Sequence, residues 1–280
     1  MPAMIAEFDV RPGDGRVLHA FDTGADAAVS LVLVWHHGSP QTGAPLDPVL
    51  VAAAERGIRL ISYARPSYGG SSPLPGRDVA SAAADVAAIA DAVGVDRFAT
   101  MGASGGAPHA LACAARLPER VVGVVTLAGI APYTEEFDWF GGMASPDAIR
   151  SAFESRDARA RFEATAEFDP EQFVPGDWTA LEGRWSSLGA DVGHSEVYGP
   201  DGLIDDDVAF ASSWGFDLAE VAAPVLLVQG DLDRVVPPAH AQWMRGLLPD
   251  SELWMRAEDG HISVLDAIPA AMDWLLERAR

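Results

Sequence analysis

Cysteine is nearly absent: Cys113 is the only one in 280 residues, so no intrachain disulfide can form and a disulfide-framed secreted fold is not indicated. It falls in the alanine-rich stretch Ala110–Ala115, which reads as a buried helix and gives the thiol a packing role rather than a reactive one. Basic residues are also scarce, 19 against 41 acidic ones, for a formal net charge of −22. Such an excess repels phosphate backbones and anionic bilayers, which excludes nucleic acid and membranes as partners and leaves solubility as the plain reading of the charge. No hydrophobic run approaches the length of a transmembrane helix. Met1–Val10 lacks a basic stretch followed by an apolar run, so no signal peptide is expected and the chain reads as cytoplasmic. Internal repeats and low-complexity tails are missing too.

What is present is ample apolar material, 49% of the residues, enough to bury a large core without metals or disulfides. Ile5–Val10 and Val17–Asp22 flank the turn signal Pro12-Gly13-Asp14-Gly15 and predict a hairpin. Continuous apolar runs at Val29–Trp35, Ile58–Tyr63, Arg97–Met101 and Val121–Leu127 read as buried parallel strands. Helical spacing separates them at about Pro45–Glu55, at Arg77–Val93, which stops at Gly94, and at Ala107–Leu117, closed by Pro118. This alternation predicts an α/β fold, a mostly parallel sheet covered on both faces. It breaks from about Pro132 to Phe216, where helical fragments such as Asp147–Ala166 mix with loops and no buried strand is evident. It resumes with a strand at Val225–Gln229, a helix at Ala239–Leu247, a strand at Glu252–Met255 and a last helix at Ser263–Arg278. The middle block is therefore an insertion in one fold: residues 1–131 and 217–280 make the core, 132–216 the insertion.

Gly102-Ala103-Ser104-Gly105-Gly106 satisfies G-x-S-x-G, a weak pattern alone that gains force from lying between a predicted strand and a predicted helix. There it forms a tight turn that lifts the serine above the sheet. A side chain at either flanking glycine would collide with nearby backbone, and the following helix points its N-terminus at the site. A serine hydroxyl needs a base to take its proton and a third group to hold that base in one tautomer. His109 lies on the helix behind the serine and His240 inside another helix, while His194 falls in the insertion. His261 follows a predicted strand in the loop Glu258-Asp259-Gly260-His261, at the carboxyl edge where sites in parallel sheets form, and is the expected base. Asp231 and Asp233 both lie in the loop beyond Val225–Gln229; Asp231 suits a turn, which leaves Asp233 to reach the imidazole. An oxyanion needs preorganised amides, for which Gly105 and Ser39 are the candidates. His36 and His37 face opposite ways in a strand, and no carboxylate or cysteine accompanies them at ligand spacing. They read as residues that hold the loop; no metal and no cofactor is expected.

The segments His37-Gly38-Ser39-Pro40, Arg65-Pro66-Ser67-Tyr68-Gly69-Gly70-Ser71, Gly102–Gly106, Gly230–Pro237 and Gly260-His261 resemble, in order, the signatures of the α/β-hydrolase fold superfamily. The resemblance implies a serine hydrolase with Ser104 as nucleophile, Asp233 as the acid and His261 as the base, and makes residues 132–216 a helical cap. Two departures stand out. A pattern commonly written D-R-P-G-Y-G has Ala64 for its aspartate and Ser67 for its first glycine, and Ala103 replaces a frequent histidine before the nucleophile. Ser104 argues against similar dehalogenases and epoxide hydrolases, which attack with aspartate, and Ile262 against similar carbon–carbon hydrolases, which often carry tryptophan after the histidine. The insertion is aromatic-rich, and His37, Trp139, Phe140 and Ile262 are the candidate pocket residues. A small, uncharged, moderately hydrophobic ester or lactone is the expected substrate of a carboxylesterase-like enzyme that acts as a monomer or homodimer. The alternatives are a specialised biosynthetic hydrolase cleaving a thioester, amide or C–C bond, and a non-enzymatic ligand-binding protein on the same fold.

Overall fold

The computed structural model describes residues 5–24 and 29–278; Met1–Met4, the start of the stretch Met1–Val10 where no signal peptide is expected, lie outside them. Eight strands form one sheet in the order β1-β2-β4-β3-β5-β6-β7-β8. The predicted hairpin is β1 (Ala6–Val10) with β2 (Leu18–Asp22), and β2 continues antiparallel onto β4 (Ile58–Tyr63). Every other pairing is parallel and links β4, β3 (Leu31–His36), β5 (Phe98–Ala103), β6 (Val121–Leu127), β7 (Val225–Gly230) and β8 (Ser251–Arg256).

The apolar runs are continuous because both faces of the sheet are buried. Successive residues alternate between two cores: on β3, Val34 joins one and Leu33 and Trp35 the other; on β7, Val225 and Leu227 oppose Leu226 and Val228. One core takes Val86 and Ile89 of α2 (Ala82–Ala92), Leu111 of α3 (Gly106–Arg116) and Met244 of α9 (Ala239–Leu247). The other takes Val49 of α1 (Asp47–Glu55) and Leu275 of α10 (Ile268–Arg278). Chain order reverses between β3 and β5, which makes the carboxyl ends of these two strands the topological switch point of the sheet. Two predicted helices begin as 3-10 turns instead: Asp78 and Ser81 cap a turn at Val79–Ser81 before α2, and Ser263–Ala267 precedes α10.

Between β6 and β7 the described residues form five α-helices and no strand: α4 (Asp147–Glu154), α5 (Arg156–Glu163), α6 (Pro175–Glu182), α7 (Ser186–Ser195) and α8 (Asp201–Phe210). The insertion has no core of its own: Trp139, Ile149 and Phe210 enter one core of the sheet and Trp185 the other. No helix among the described residues is long and apolar enough to cross a membrane.

The helical stretch expected over Asp147–Ala166 is broken at Ser155, whose backbone is extended and whose hydroxyl oxygen accepts the Ala158 amide at 3.1 Å. An N-cap restarts the helix in a new direction. Ser155→Ala is expected to lower the unfolding free energy by about 1 kcal/mol, read as a shift in urea midpoint at constant slope. An unshifted midpoint would show that packing alone sets the break.

Candidate active site

Three loops converge at the β3/β5 switch point. The first is the turn from β5 into α3, where Ser104 takes φ 51°, a left-handed conformation that costs a non-glycine residue energy and persists only where the surroundings fix it. Its amide donates to the Leu127 carbonyl at 2.8 Å and its carbonyl accepts from Ala107 at 3.0 Å. A Cβ on Gly102 would overlap the Gly106 backbone, and one on Gly106 would overlap the carbonyl of His36 at the end of β3. The helix thus lies against two strand ends with no room for side chains between.

The second loop follows β8. His261, 7% exposed, places Nε2 at 2.9 Å from Ser104 Oγ and Nδ1 at 2.9 Å from Asp233 Oδ2. A carboxylate only accepts, so Nδ1 carries the proton and Nε2 is left to accept from the serine hydroxyl. Burial pushes the His261 pKa down, but the charge and hydrogen bond of Asp233, with the charge of Asp177, outweigh it and hold the pKa above the ordinary imidazole value. Asp233, in the loop after β7, is itself fixed: Oδ1 accepts the Val235 and Val236 amides, each at 2.9 Å, and Oδ2 the Gln229 amide at 3.1 Å. Asp231 is exposed and accepts the Glu258 amide at 2.8 Å, which shapes the neighbouring loop.

The third loop follows β3. The Ser39 and Gly105 amides have no acceptor among the described residues, whereas the Gly38 amide is taken by Gln41 Oε1. Ser39 and Gly105 are in contact, since a Cβ on Gly105 would lie 2.5 Å from Ser39 Oγ. His37 holds this loop, donating from Nδ1 to the Gly38 carbonyl at 2.6 Å and accepting the Arg65 amide at 3.2 Å. The remaining histidines serve elsewhere. His109 donates to the Gly105 carbonyl at 2.8 Å, and burial beside Arg65 drops its pKa to about 3. His240 bridges the Ala131 amide and the Trp139 carbonyl, and His194 is exposed on α7. His36 packs against Cys113, whose thiol burial pushes far up in pKa.

Of the candidate pocket residues, Ile262 is buried beside His261. Trp139 is buried with its indole N–H on the Ala131 and Pro132 carbonyls, and half-buried Phe140 packs edge-to-face on it with ring centroids 4.9 Å apart. Phe210 of α8 lies beside the residue that follows Ser104: its ring is 3.4 Å from where a Gly105 side chain would begin.

The groups that hold these loops carry little signal in the sequence. Asp206 of α8 is fully buried and accepts from Arg65 at 2.6 Å, Arg77 at 2.7 Å, Tyr68 Oη at 2.8 Å and the Ser39 hydroxyl. Burial raises its pKa, but Arg65 and Arg77 more than offset this and hold the carboxyl well below its usual range. Arg65 also donates to the His37 carbonyl and, at 2.9 Å, to Ser39 Oγ. Asp191 of α7 accepts from Gln41, the Thr42 amide and the Thr42 hydroxyl. Asp177 of α6 accepts from the His261 loop. Only their apolar neighbours hinted at burial; nothing in the run Asp205-Asp206-Asp207 marks the middle member.

A family model described as the α/β hydrolase fold matches residues 32–268. The chain belongs to the α/β-hydrolase fold family. Non-heme chloroperoxidase of Streptomyces lividans is 30% identical over 223 residues, 75% of this chain and 77% of that protein. Pimeloyl-(acyl-carrier protein) methyl ester esterase of Nitrosomonas europaea is 28% identical over 83% of this chain and 89% of its own. Among solved structures, bromoperoxidase from Bacillus anthracis has a TM-score of 0.76 at 21% identity, covering 97% of this chain and 100% of that one, a likeness of fold.

As an α/β-hydrolase family member the chain departs from the common pattern at Ser67, and the structure gives the physical form of that departure. Ser67 keeps the left-handed backbone, φ 72°, that the glycine it replaces adopts freely, and its hydroxyl donates to Asp205 at 3.0 Å. Ala103 is buried with Trp35 and Met101.

Removing one partner of the Asp206 cluster leaves two buried guanidinium groups short of a counter-charge. Asp206→Asn is expected to destabilise the protein by about 3–5 kcal/mol, measured by denaturant unfolding. A loss under about 1 kcal/mol would mean the arginines find other acceptors.

Proposed function

We propose that this α/β-hydrolase family member is a serine hydrolase that cleaves a small, uncharged, moderately hydrophobic carboxylic ester or lactone through an acyl-enzyme on Ser104. The observation that carries the reading is the unbroken chain of contacts Ser104–His261–Asp233, 2.9 Å at each step. His261 takes the Ser104 proton as Oγ attacks the carbonyl, and Asp233 stabilises the imidazolium that forms. The Ser39 and Gly105 amides, free of internal acceptors, receive the oxyanion. His261 then protonates the leaving alcohol, and the same histidine activates the water that releases the acid. Residues 132–216 act as the cap, with Phe140 and Phe210 offering apolar contact to the acyl side. The relation to a methyl ester esterase supports this choice of substrate class.

A second reading is acyl transfer to hydrogen peroxide instead of water, favoured by the 30% identical relative named a non-heme chloroperoxidase. Peroxide attack on the same acyl-serine would release a peracid and return the proton to Ser104 through His261. Comparing acid and peracid release from one ester with peroxide added separates the two.

The test is hydrolysis of p-nitrophenyl esters of increasing acyl length. Ser104→Ala and His261→Ala are expected to lower kcat by about 10⁴-fold or more without loss of fold, and Asp233→Asn by about 10⁴-fold. Asp231→Asn should stay within about threefold of wild type, because that carboxylate only shapes a loop. Near-normal turnover by Ser104→Ala would overturn the reading. Since His261 must be neutral to act and its pKa is raised, kcat/KM should fall on acidification with a midpoint above that of a free imidazole. A midpoint in the ordinary carboxylate range would remove His261 as the base.

A further inference from the structure

Resting on the assignment of His261 as the base, we propose that Asp177, a residue of the helical insertion, is a positioning residue for catalysis: its carboxylate clamps the backbone that presents the imidazole to Ser104. Asp177 occupies the first turn of α6, is wholly buried, and belongs to a different part of the chain from the three residues of the relay. Its Oδ1 accepts the Ile262 and Ser263 amides, both at 2.8 Å, and the Ser263 hydroxyl at 2.9 Å. Its Oδ2 accepts the His261 amide at 3.2 Å and the Val174 amide at 3.1 Å. Three successive amides of the catalytic loop thus converge on one carboxylate, just where the 3-10 turn Ser263–Ala267 begins and its N-terminal amides lack intrahelical acceptors. A carboxylate supplied from outside does for this turn what an N-cap side chain does from within.

The fit is close. Gly260 lies against the Asp177 carboxylate, so that a Cβ there would overlap it, and the Ser263 hydroxyl, while donating to Asp177, accepts the Gly260 amide at 2.7 Å. Residues 261 to 263 are therefore bonded to α6 directly, and Gly260 through Ser263. Bonds from the loop after β7 hold Glu258 and Asp259, but without the Asp177 tie the amides of His261, Ile262 and Ser263 lose their common acceptor and the imidazole is held by its own bond to Asp233. The hydrogen bond that Nε2 accepts from the Ser104 hydroxyl needs the ring correct to a fraction of an ångström, which a loosened loop does not supply.

The charge has a second effect. The charged groups facing His261 are Asp233, from the loop after β7, and Asp177, from α6, and both favour the imidazolium over the imidazole. An amide in place of the Asp177 carboxylate removes one of them and must also turn an N–H toward backbone donors. Asparagine is close to isosteric, yet it cannot accept from all five donors at once.

The test is the rate at which a fluorophosphonate labels Ser104, followed against pH, alongside kcat and KM on p-nitrophenyl acetate. Labelling of the wild type that is lost in Ser104→Ala establishes the relay itself. On that footing, Asp177→Asn should lower the plateau labelling rate and kcat by about tenfold to a hundredfold with little change in KM, and its acid limb should move to lower pH because the imidazole has lost a favourable neighbour. A residue with a merely structural part would lower the melting temperature and leave the midpoint and plateau of the folded fraction unmoved; that result would overturn the proposal. Should Asp177→Asn fail to fold, Ser263→Ala keeps the carboxylate and its charge while removing one bond to it and one acceptor for Gly260. It should lower kcat several-fold with its acid limb in place, and an unchanged kcat would overturn the proposal. Absence of labelling in the wild type would overturn the relay and this inference with it, whereas a normal wild type with an unaltered Asp177→Asn would overturn this inference alone.

Discussion

The turn at Ser104 depends on a close approach that only glycine allows. Helix α3 begins so near the ends of β3 and β5 that Gly102 meets Gly106, and Gly106 meets the carbonyl of His36, with no space for a Cβ at either. Helix and strands brought this near leave the linking residue no relaxed path, and Ser104 adopts φ 51° in consequence. Much else follows from this contact. It projects Oγ above the carboxyl edge of the sheet, it sets the Gly105 amide beside Ser39, and it puts the N-terminus of α3 under both. The strand reversal between β3 and β5 places this turn at the topological switch point of the sheet.

Around this rigid turn the loops are fixed by buried carboxylates, and the composition suits the task. All the basic residues are arginine; the sequence contains no lysine. A guanidinium offers five donors in a plane and can serve a carboxylate and a carbonyl together, which an ammonium cannot do with the same geometry. Arg65 does this, reaching Asp206, Ser39 Oγ and the His37 carbonyl at once, and Arg59 grips Asp22 with two bonds. The excess of acid is thus not wholly a surface property. Asp85, Asp177, Asp206 and Asp233 are all nearly inaccessible, and each has donors for its oxygens.

The central strands were legible because burial on both faces imposes a local signature, a short and mainly apolar run, and they lie within a few residues of their expected limits. The sequence segments holding Ser104 and Asp233 were legible for a related reason: each follows the end of such a strand, where the chain must turn. His261 lies instead in the loop beyond the half-exposed β8 and was marked by its place in that loop. Asp205, Asp206 and Asp207 show where legibility ends. The three are identical and consecutive, but one faces Arg156 and Ser67, the next Arg65 and Arg77, the third Arg159. Their difference lies in partners between 48 and 141 residues away, and no local spacing encodes it. Asp177 was hidden likewise, since an aspartate in the first turn of a helix has a sufficient local explanation in the helix dipole.

Those distant pairings bear on what the insertion is. Asp177 of α6 holds the His261 loop, Asp191 of α7 holds Gln41 and Thr42, and Asp206 of α8 holds Ser39. Three helices of the insertion therefore each send one buried carboxylate to a loop of the sheet's carboxyl edge. Lifting the insertion as a rigid lid would strip all three loops of their acceptors and expose carboxylates now neutralised by amides and guanidinium groups, a cost far above that of swinging a loosely packed flap. It would also uncover Trp139, Phe210 and Trp185, which complete the two cores of the sheet. The insertion and the loops it anchors are one mechanical unit, and whatever motion admits a ligand has to come from side chains and short connections around the switch point and leave these three anchors in place.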